Sequence, residues 1–357
     1  MHNDESGHYK YVFVCGLQRS GTSVLGRNIA RFENCTGFKN TGALMDEGQF
    51  LQDVYPIDAK FGGAGRFGFD PRAHRTERSN LLTPENIARL RASWHTHWDP
   101  SKSICVEKTP ANLLMTRFLQ AAFADSYFVV LWRHPVPVSL ASKRWKVSVS
   151  PIYRLFEHWL HCHELFEKDK KYLKHVYELR YEDYVENPEK YHRDIAAFIG
   201  TRIQDQPKED TYRYVTQWGN PSGLRVPDKG IEKATPVHNQ KYLDRWHKLL
   251  ADSPFRFYYR HLARKYEPEF AKHGYSLMKE FDVNGRGQKT REISAIAGAF
   301  CCRVADVCAF TLRSMTRCKG YIRRQIRSRL PQPVKVKIKH LLQRVTLGRK
   351  QSEVVSS

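Results

Sequence analysis

No apolar run in this 357-residue sequence reaches the roughly 20 residues needed to cross a bilayer. The stretch Met1-His2-Asn3-Asp4-Glu5-Ser6 has no apolar signal region either. A helical membrane span is thereby excluded, and the expectation is a protein that stays in the cytoplasm. No Cys-x-x-Cys pair occurs among the eight cysteines, and Cys15 and Cys105 fall within expected strands. These thiols are therefore expected to be reduced and mostly buried, not a disulfide frame. Negative charge is scarce, with 37 Asp and Glu against 59 Lys and Arg, a net of +22. Apolar residues are not scarce: at 41% they suffice for the core of one large α/β domain.

The positive charge is unevenly placed. From Val283 onward, 17 Lys and Arg face Glu292, Asp306 and Glu353, so this segment holds +14 of the +22 and leaves +8 to the rest. Ile293, Ile296, Phe300, Val304 and Val307 recur there at helical spacing, and Asn284-Gly285-Arg286-Gly287 precedes them as a linker. Two domains are expected, 1–282 and a basic amphipathic extension over 283–357. Such an extension can lie on anionic lipid at a membrane periphery, grip nucleic acid, dock a partner or remain a solvated tail, and no recognisable nucleic-acid-binding fold accompanies it. The body at +8 suits a site that receives an anionic nucleotide.

One further absence is chemical. The run Tyr11-Val12-Phe13-Val14-Cys15 predicts a strand that ends at Gly16. A polar turn follows, and Val24, Leu25, Ile29 and Phe32 then mark a helix. A strand, loop and helix of this kind leave the first helical N–H groups open and put the positive helix end beside them, so the loop favours an oxyanion. Gly16, Gly21, Thr22 and Ser23 copy the spacing of the nucleotide-cradling loop of kinases and ATPases, but its lysine is missing and Thr22 stands in that place. No persuasive candidate exists for the distant metal-holding aspartate that β–γ phosphate cleavage requires. The cation has moved to Arg19.

A second anion site follows the apolar strand Tyr127-Phe128-Val129-Val130-Leu131-Trp132. Arg133-His134-Pro135 ends that strand, and a helix runs on through Val138, Leu140, Ala141 and Trp145. Two phosphate sites at one sheet edge imply one nucleotide phosphorylated at both ends, its terminal group transferred without metal.

Other stretches invite competing readings. Gly63, Gly65 and Gly68 form a G-x-G-x-x-G, but Tyr55-Pro56-Ile57-Asp58 is a poor strand and no helix opens at the third glycine. A flap near an acceptor is expected instead of a dinucleotide site. Arg66, Arg72, Arg75 and Arg78 could meet an acidic acceptor there or form a solvated charged loop. His158, His161, Cys162 and His163 share one helix, where aromatic packing and solvent exposure account for them without a metal. Arg225 to His238 could form a lid, with Lys229 or Lys233 on phosphate.

Several of these segments resemble one family. Arg19-Ser20-Gly21-Thr22-Ser23 resembles the 5′-phosphosulfate loop of sulfotransferases, and strand-Arg133-x-Pro135-helix is similar to their 3′-phosphate motif. The family's serine lies eight residues after the arginine; Ala141 occupies that place here, and Ser142 is preferred to Ser139 as its substitute. Tyr181, in strand-Tyr181-Glu182-Asp183, matches the tyrosine that contacts adenine. Glu47-Gly48-Gln49-Phe50-Leu51 resembles the Glu-x-His-Phe-Phe segment of carbohydrate O-sulfotransferases, with Gln49 for the histidine. Glu107-Lys108-Thr109-Pro110 is similar to the family's Glu-Lys-Ser/Thr-Pro.

The resemblance spans about Tyr11 to Trp246. It implies an α/β, three-layer P-loop-like fold with a central, mostly parallel sheet, followed by the basic helical tail. It also implies transfer of the sulfuryl group of 3′-phosphoadenosine-5′-phosphosulfate (PAPS) to a hydroxyl acceptor, a carbohydrate or lipid, with no metal. Glu47 is then the base, with Glu107 competing; Arg19 is the catalytic cation and Lys108 the acceptor contact. Arg19, Ser20, Gly21, Thr22, Ser23, Arg133, Ser142 and Tyr181 would hold the nucleotide. The rival readings are a P-loop kinase and a non-catalytic protein bound to membrane or nucleic acid.

Overall fold

The computed structural model describes residues 9–143, 150–203, 210–214, 224–228 and 237–278, with backbone alone for 210–214, 224–228 and 237–238. Lys229, Lys233 and the basic tail lie outside the described residues. By its internal contacts the chain divides into Met1–Gly298 and Ala299–Ser357, and all described residues belong to the first unit.

Five parallel strands form the central sheet in the order β2-β3-β1-β4-β5: β1 (Lys10–Gly16), β2 (Cys35–Gly37), β3 (Ile104–Lys108), β4 (Ser126–Trp132) and β5 (Val176–Arg180). The central strands β1 and β4 are apolar on both faces because helices cover both. Tyr11, Phe13 and Cys15 of β1 and Phe128, Val130 and Trp132 of β4 enter one core, while Val12, Val14, Val129 and Leu131 enter the other. This period of two, doubled by burial on each side, is what parallel strands inside α/β layers require.

On the second face lie α1 (Thr22–Ile29) and α7 (Pro188–Ile199), which contribute Leu25, Ile29, Ile195 and Ile199. On the first lie α2 (Pro84–His95), α3 (Thr116–Ala122), α5 (Ile152–Lys170), α8 (Val237–Ala251) and α9 (Arg256–Ala271), whose Trp94, Phe118, Trp159, Trp246 and Phe270 fill a core rich in aromatic rings. Two shorter helices, α4 (Pro135–Lys143) and α6 (Tyr181–Glu186), follow β4 and β5 directly. An antiparallel pair, β6 (Asp210–Tyr214) with β7 (Leu224–Asp228), forms a separate ribbon. None of the helices among the described residues is long and apolar enough to cross a membrane.

Local sequence accounts for most boundaries. Thr83 caps α2 by accepting from the Asn86 N–H at 3.2 Å, with Pro84 at the first helical position. Asn187 does the same for α7 at Lys190, and Gly200 ends it in the left-handed region at φ 74°. Pro110–Leu114 winds as a 3-10 turn before α3 starts at Thr116. Tyr181-Glu182-Asp183 is the first turn of α6.

The strand order reverses around β1, with β3 on one side and β4 on the other. Ligands of open α/β sheets sit at the carboxyl ends of the strands flanking such a switch point. The loop after Gly16 and Arg133 after β4 both lie there.

Candidate active site

The turn after β1 is held by backbone conformations that suit few residues. Gly21 has φ 102°, and a Cβ there would lie 2.7 Å from the Tyr181 ring. Only glycine lets the aromatic ring close over the loop. Arg19 takes φ 75°, and its carbonyl accepts from Arg133 Nη1 at 2.7 Å. The Ser20 hydroxyl is buried with no hydrogen-bond partner among the described residues. Beyond the loop, α1 opens with Thr22 and Ser23, whose N–H groups precede the first intrahelical bonds to the Gly21 carbonyl, from Val24 at 3.1 Å and Leu25 at 3.3 Å.

Arg133 is buried, and three contacts fix its plane. Its Nε donates to Asn239 Oδ1 at 3.0 Å, its Nη1 to the Arg19 carbonyl, and its Cζ lies 4.0 Å from the centre of the Tyr181 ring. Nη2 has no partner among the described residues. Burial lowers the pKa of the guanidinium from its ordinary value. A fixed arginine with one open donor is a prepared anion site. Asn239 is itself oriented by donating from Nδ2 to Glu182 Oε1 at 2.9 Å, and Glu182 also accepts from the His134 N–H at 3.1 Å.

Facing these cations is a carboxylate on a short loop. Glu47 precedes the 3-10 turn Gly48–Phe50 and is nearly buried; its Oε1 lies 3.1 Å from Lys108 Nζ and its Oε2 accepts from Gln49 Nε2 at 2.7 Å. Lys108 Nζ also donates to the Met45 carbonyl at 3.0 Å. The loop is clamped from below by Glu107, which is fully buried. One of its oxygens accepts from the Gly48 N–H at 2.8 Å and from the Thr109 hydroxyl, the other from Asn112 Nδ2. Trp94 Nε1 donates to the Gly48 carbonyl at 3.0 Å, so both polar backbone groups of that glycine are held. A Cβ on Gly48 would meet Glu107 Oε1 at 2.7 Å, which is why the position is glycine. Burial pushes the Glu107 carboxyl up to about 7.

Both loops, Glu47 and Arg133 line one cavity of about 460 Å³, within the range of small-molecule sites. Residues 12–205 match the sulfotransferase family. The chain belongs to the sulfotransferase family. Among solved structures, this sulfotransferase is similar to STF1 of Mycobacterium tuberculosis H37Rv, at 16% identity over 56% of this chain and 69% of that one, with a TM-score of 0.39. It is also similar to the sulfotransferase domain of the curacin biosynthetic pathway, at 15% over 75% and 98%, TM-score 0.41. Retinol dehydratase, solved with androsterone and the inactive cofactor PAP, matches at 15% over 68% and 81%, TM-score 0.30. No curated protein sequence matches.

Within this sulfotransferase the cavity wall includes Arg19, Gly21, Thr22, Ser23, Glu47, Arg133 and Tyr181. Three expected residues stand apart from it. Ser20 is buried beneath the loop. Lys108 meets the site through Glu47 instead of facing an acceptor directly. Ser142 and Ser139 line a separate small cavity beside Leu17, Gln18, Gly65 and His158, while Ala141 faces the main one. One residue along a helix turns the side chain by about 100°, enough to take Ser142 off the cavity face.

The arginines expected to greet an acidic acceptor are otherwise engaged. Arg66 donates to the Ser150 hydroxyl, Arg72 is paired with Asp70 in solvent, and Arg78 is exposed beside Glu77. Arg75 is buried against Tyr55 and Phe61, its Nη1 on Met115 Sδ. Of the expected flap, Gly63 and Ala64 line the cavity, while Gly65 lines the smaller one. His158 accepts from the Gly68 N–H at 3.1 Å, and His163 lies between Trp132 and Trp159.

Sequence reasoning missed Asp58 and Asn239. Asp58 lies on the cavity wall; its Oδ2 accepts from Gln18 Nε2 at 2.6 Å, and its N–H donates to Gln49 Oε1 at 2.9 Å. Burial, and then the neighbouring Glu47, push its carboxyl up to about 6.

Proposed function

We propose that this sulfotransferase moves the sulfuryl group of PAPS to a hydroxyl acceptor without a metal, with Glu47 as general base. The observation that carries the reading is the hydrogen bond from Arg133 to the Arg19 carbonyl, which joins the loop after β1 and the end of β4 into one cationic cradle. The 5′-phosphosulfate takes the open N–H groups at the start of α1, with Arg19 beside it, and the 3′-phosphate takes the open Nη2 of Arg133. Tyr181, packed over both Gly21 and Arg133, offers a face to the adenine.

In the transfer, the acceptor oxygen attacks sulfur and its proton passes to Glu47. The bond from sulfur to the 5′-phosphate oxygen breaks, and its electron pair leaves on adenosine 3′,5′-bisphosphate (PAP). Arg19 and the helix end oppose the charge that develops on that oxygen. Lys108 and Gln49 hold Glu47 in place, and Glu107, whose oxygens accept from Gly48, Thr109 and Asn112, supports the loop and is not the group that takes the acceptor's proton. Glu107 is thus a positioning residue in this reading, which favours Glu47 as the base.

The test is an acceptor screen with radiolabelled PAPS in the presence of a chelator. Glu47→Gln is expected to lower turnover by about a hundredfold to ten-thousandfold, the span of general-base catalysis, while PAP affinity changes by less than about threefold, under 1 kcal/mol. Equal loss of turnover and PAP binding would overturn the assignment of the base.

A further inference from the structure

The proposed donor accounts for the cations of the cavity but leaves its acceptor wall with an unbalanced charge. Arg19, Arg27 and Arg133 stand on the loop, on α1 and at the end of β4, where an anionic nucleotide would use them. The opposite wall is apolar at Leu44, Met45, Phe50 and Ala59, and its two charged groups are Glu47 and Asp58. Glu47 has Lys108 as its ion partner. Asp58 has no ion pair among the described residues; its neutral hydrogen-bond partners are the Gln18 amide, the Ala59 N–H and the Gln49 side chain. The Gln18 amide spends its nitrogen on Asp58, which leaves Gln18 Oε1 buried and without a donor among the described residues.

Gln49 fixes the spacing of the two acids, donating to Glu47 from Nε2 and accepting the Asp58 N–H at Oε1. The wall therefore presents two carboxylates, of which Asp58 has no cation partner among the described residues, and the amide oxygen of Gln18 beside Asp58 has no donor among them either. A protonated amine has three donors and no acceptor and supplies the missing charge. An acidic acceptor would meet two carboxylates instead, and Arg66, Arg72, Arg75 and Arg78 are not on the cavity wall to receive it.

We infer that Asp58, with Gln18, selects a hydroxyl acceptor that carries a protonated amine close to its reacting oxygen on an apolar body, an amphiphilic amino alcohol. This rests on the sulfotransferase reading given above. The amine binds Asp58 and Gln18 Oε1, the hydroxyl points to Glu47, and the apolar body lies along Leu44, Met45 and Phe50.

Three probes built on one phenylpropyl skeleton test it on the full chain: phenylalaninol and phenylpropanol, a cationic and an uncharged primary alcohol, and phenyllactate, an anionic secondary alcohol. PAP binding is measured first, and its failure would overturn the sulfotransferase reading itself. With PAP binding established, phenylalaninol is expected to be sulfated with a kcat/KM at least about tenfold above phenylpropanol, or 1.4 kcal/mol, with phenyllactate lowest. In Asp58→Asn the preference for phenylalaninol over phenylpropanol should largely vanish. The inference is overturned if phenyllactate matches or exceeds phenylalaninol in the wild type. It is equally overturned if phenylalaninol fails to bind the PAP-loaded enzyme at millimolar concentration, or if a folded Asp58→Asn enzyme keeps the preference. The wild-type ranking decides the matter should the variant not fold.

Discussion

Glu107 illustrates how a single buried group sets the position of the loop that carries Glu47. Its carboxyl is out of water entirely, yet it organises the backbone of Gly48, the hydroxyl of Thr109 and the amide of Asn112. That arrangement has a pH signature. Burial raises its pKa from 4.5 to about 7, so between those values the folded state keeps a proton that the unfolded chain has released. Its contribution to stability is complete below pH 4.5 and is lost as pH rises through about 7, a change of about 3 kcal/mol. Glu107→Gln removes the titration. Urea denaturation of both proteins is expected to show the wild type losing stability relative to the variant as pH rises across this window. A difference between the two that stays constant with pH would contradict the assignment. Neither the burial nor the partners of Glu107 could be read from the sequence, where Gly48 lies 59 residues away. A carboxylate at a strand end is as compatible with a base as with a clamp.

At the scale of elements, the legible parts were those whose signal is local. The apolar runs of β1 and β4, each ending in a cationic turn and a helix, announce themselves by strand composition, glycine and proline, and both turns stand at one sheet edge. The cap at Thr83 and the paired signals at Asn187 and Gly200 mark α2 and α7 in the same way. What escaped depends on tertiary contact. Asp58 lies in a stretch with no periodic pattern, and only folding brings it against Gln18, 40 residues earlier. Ser142 lies off the main cavity, which Ala141 lines, because a helix step of about 100° separates neighbours, and sequence alone does not say which face α4 turns to the cavity. Asn239 reaches Arg133 from α8, across 106 residues. If α8 acts by holding that guanidinium plane, Asn239→Ala should weaken PAP binding about tenfold, the value of one charge-assisted hydrogen bond. Calorimetry measures it, and unchanged affinity would mean that Arg133 is held well enough by the Arg19 carbonyl and Tyr181 alone.

For the molecule as a whole, the division of charge within the cavity governs the account. A sheet whose strand order reverses at β1 gathers the loop after β1, the end of β4 and the start of α6 on one edge, and these supply the cations and the aromatic face. The loop of Glu47 and the segment of Asp58 supply the acids on the opposite wall. The central claim is that one adenosine phosphorylated at both ends bridges the two cationic loops. Titration of the full chain in chelator with PAP, and separately with adenosine 5′-monophosphate, tests it most directly. One PAP is expected to bind per chain, about a hundredfold tighter than the monophosphate, because only PAP satisfies Arg133. Equal affinity for the two nucleotides, or PAP binding that requires Mg²⁺, would contradict the account.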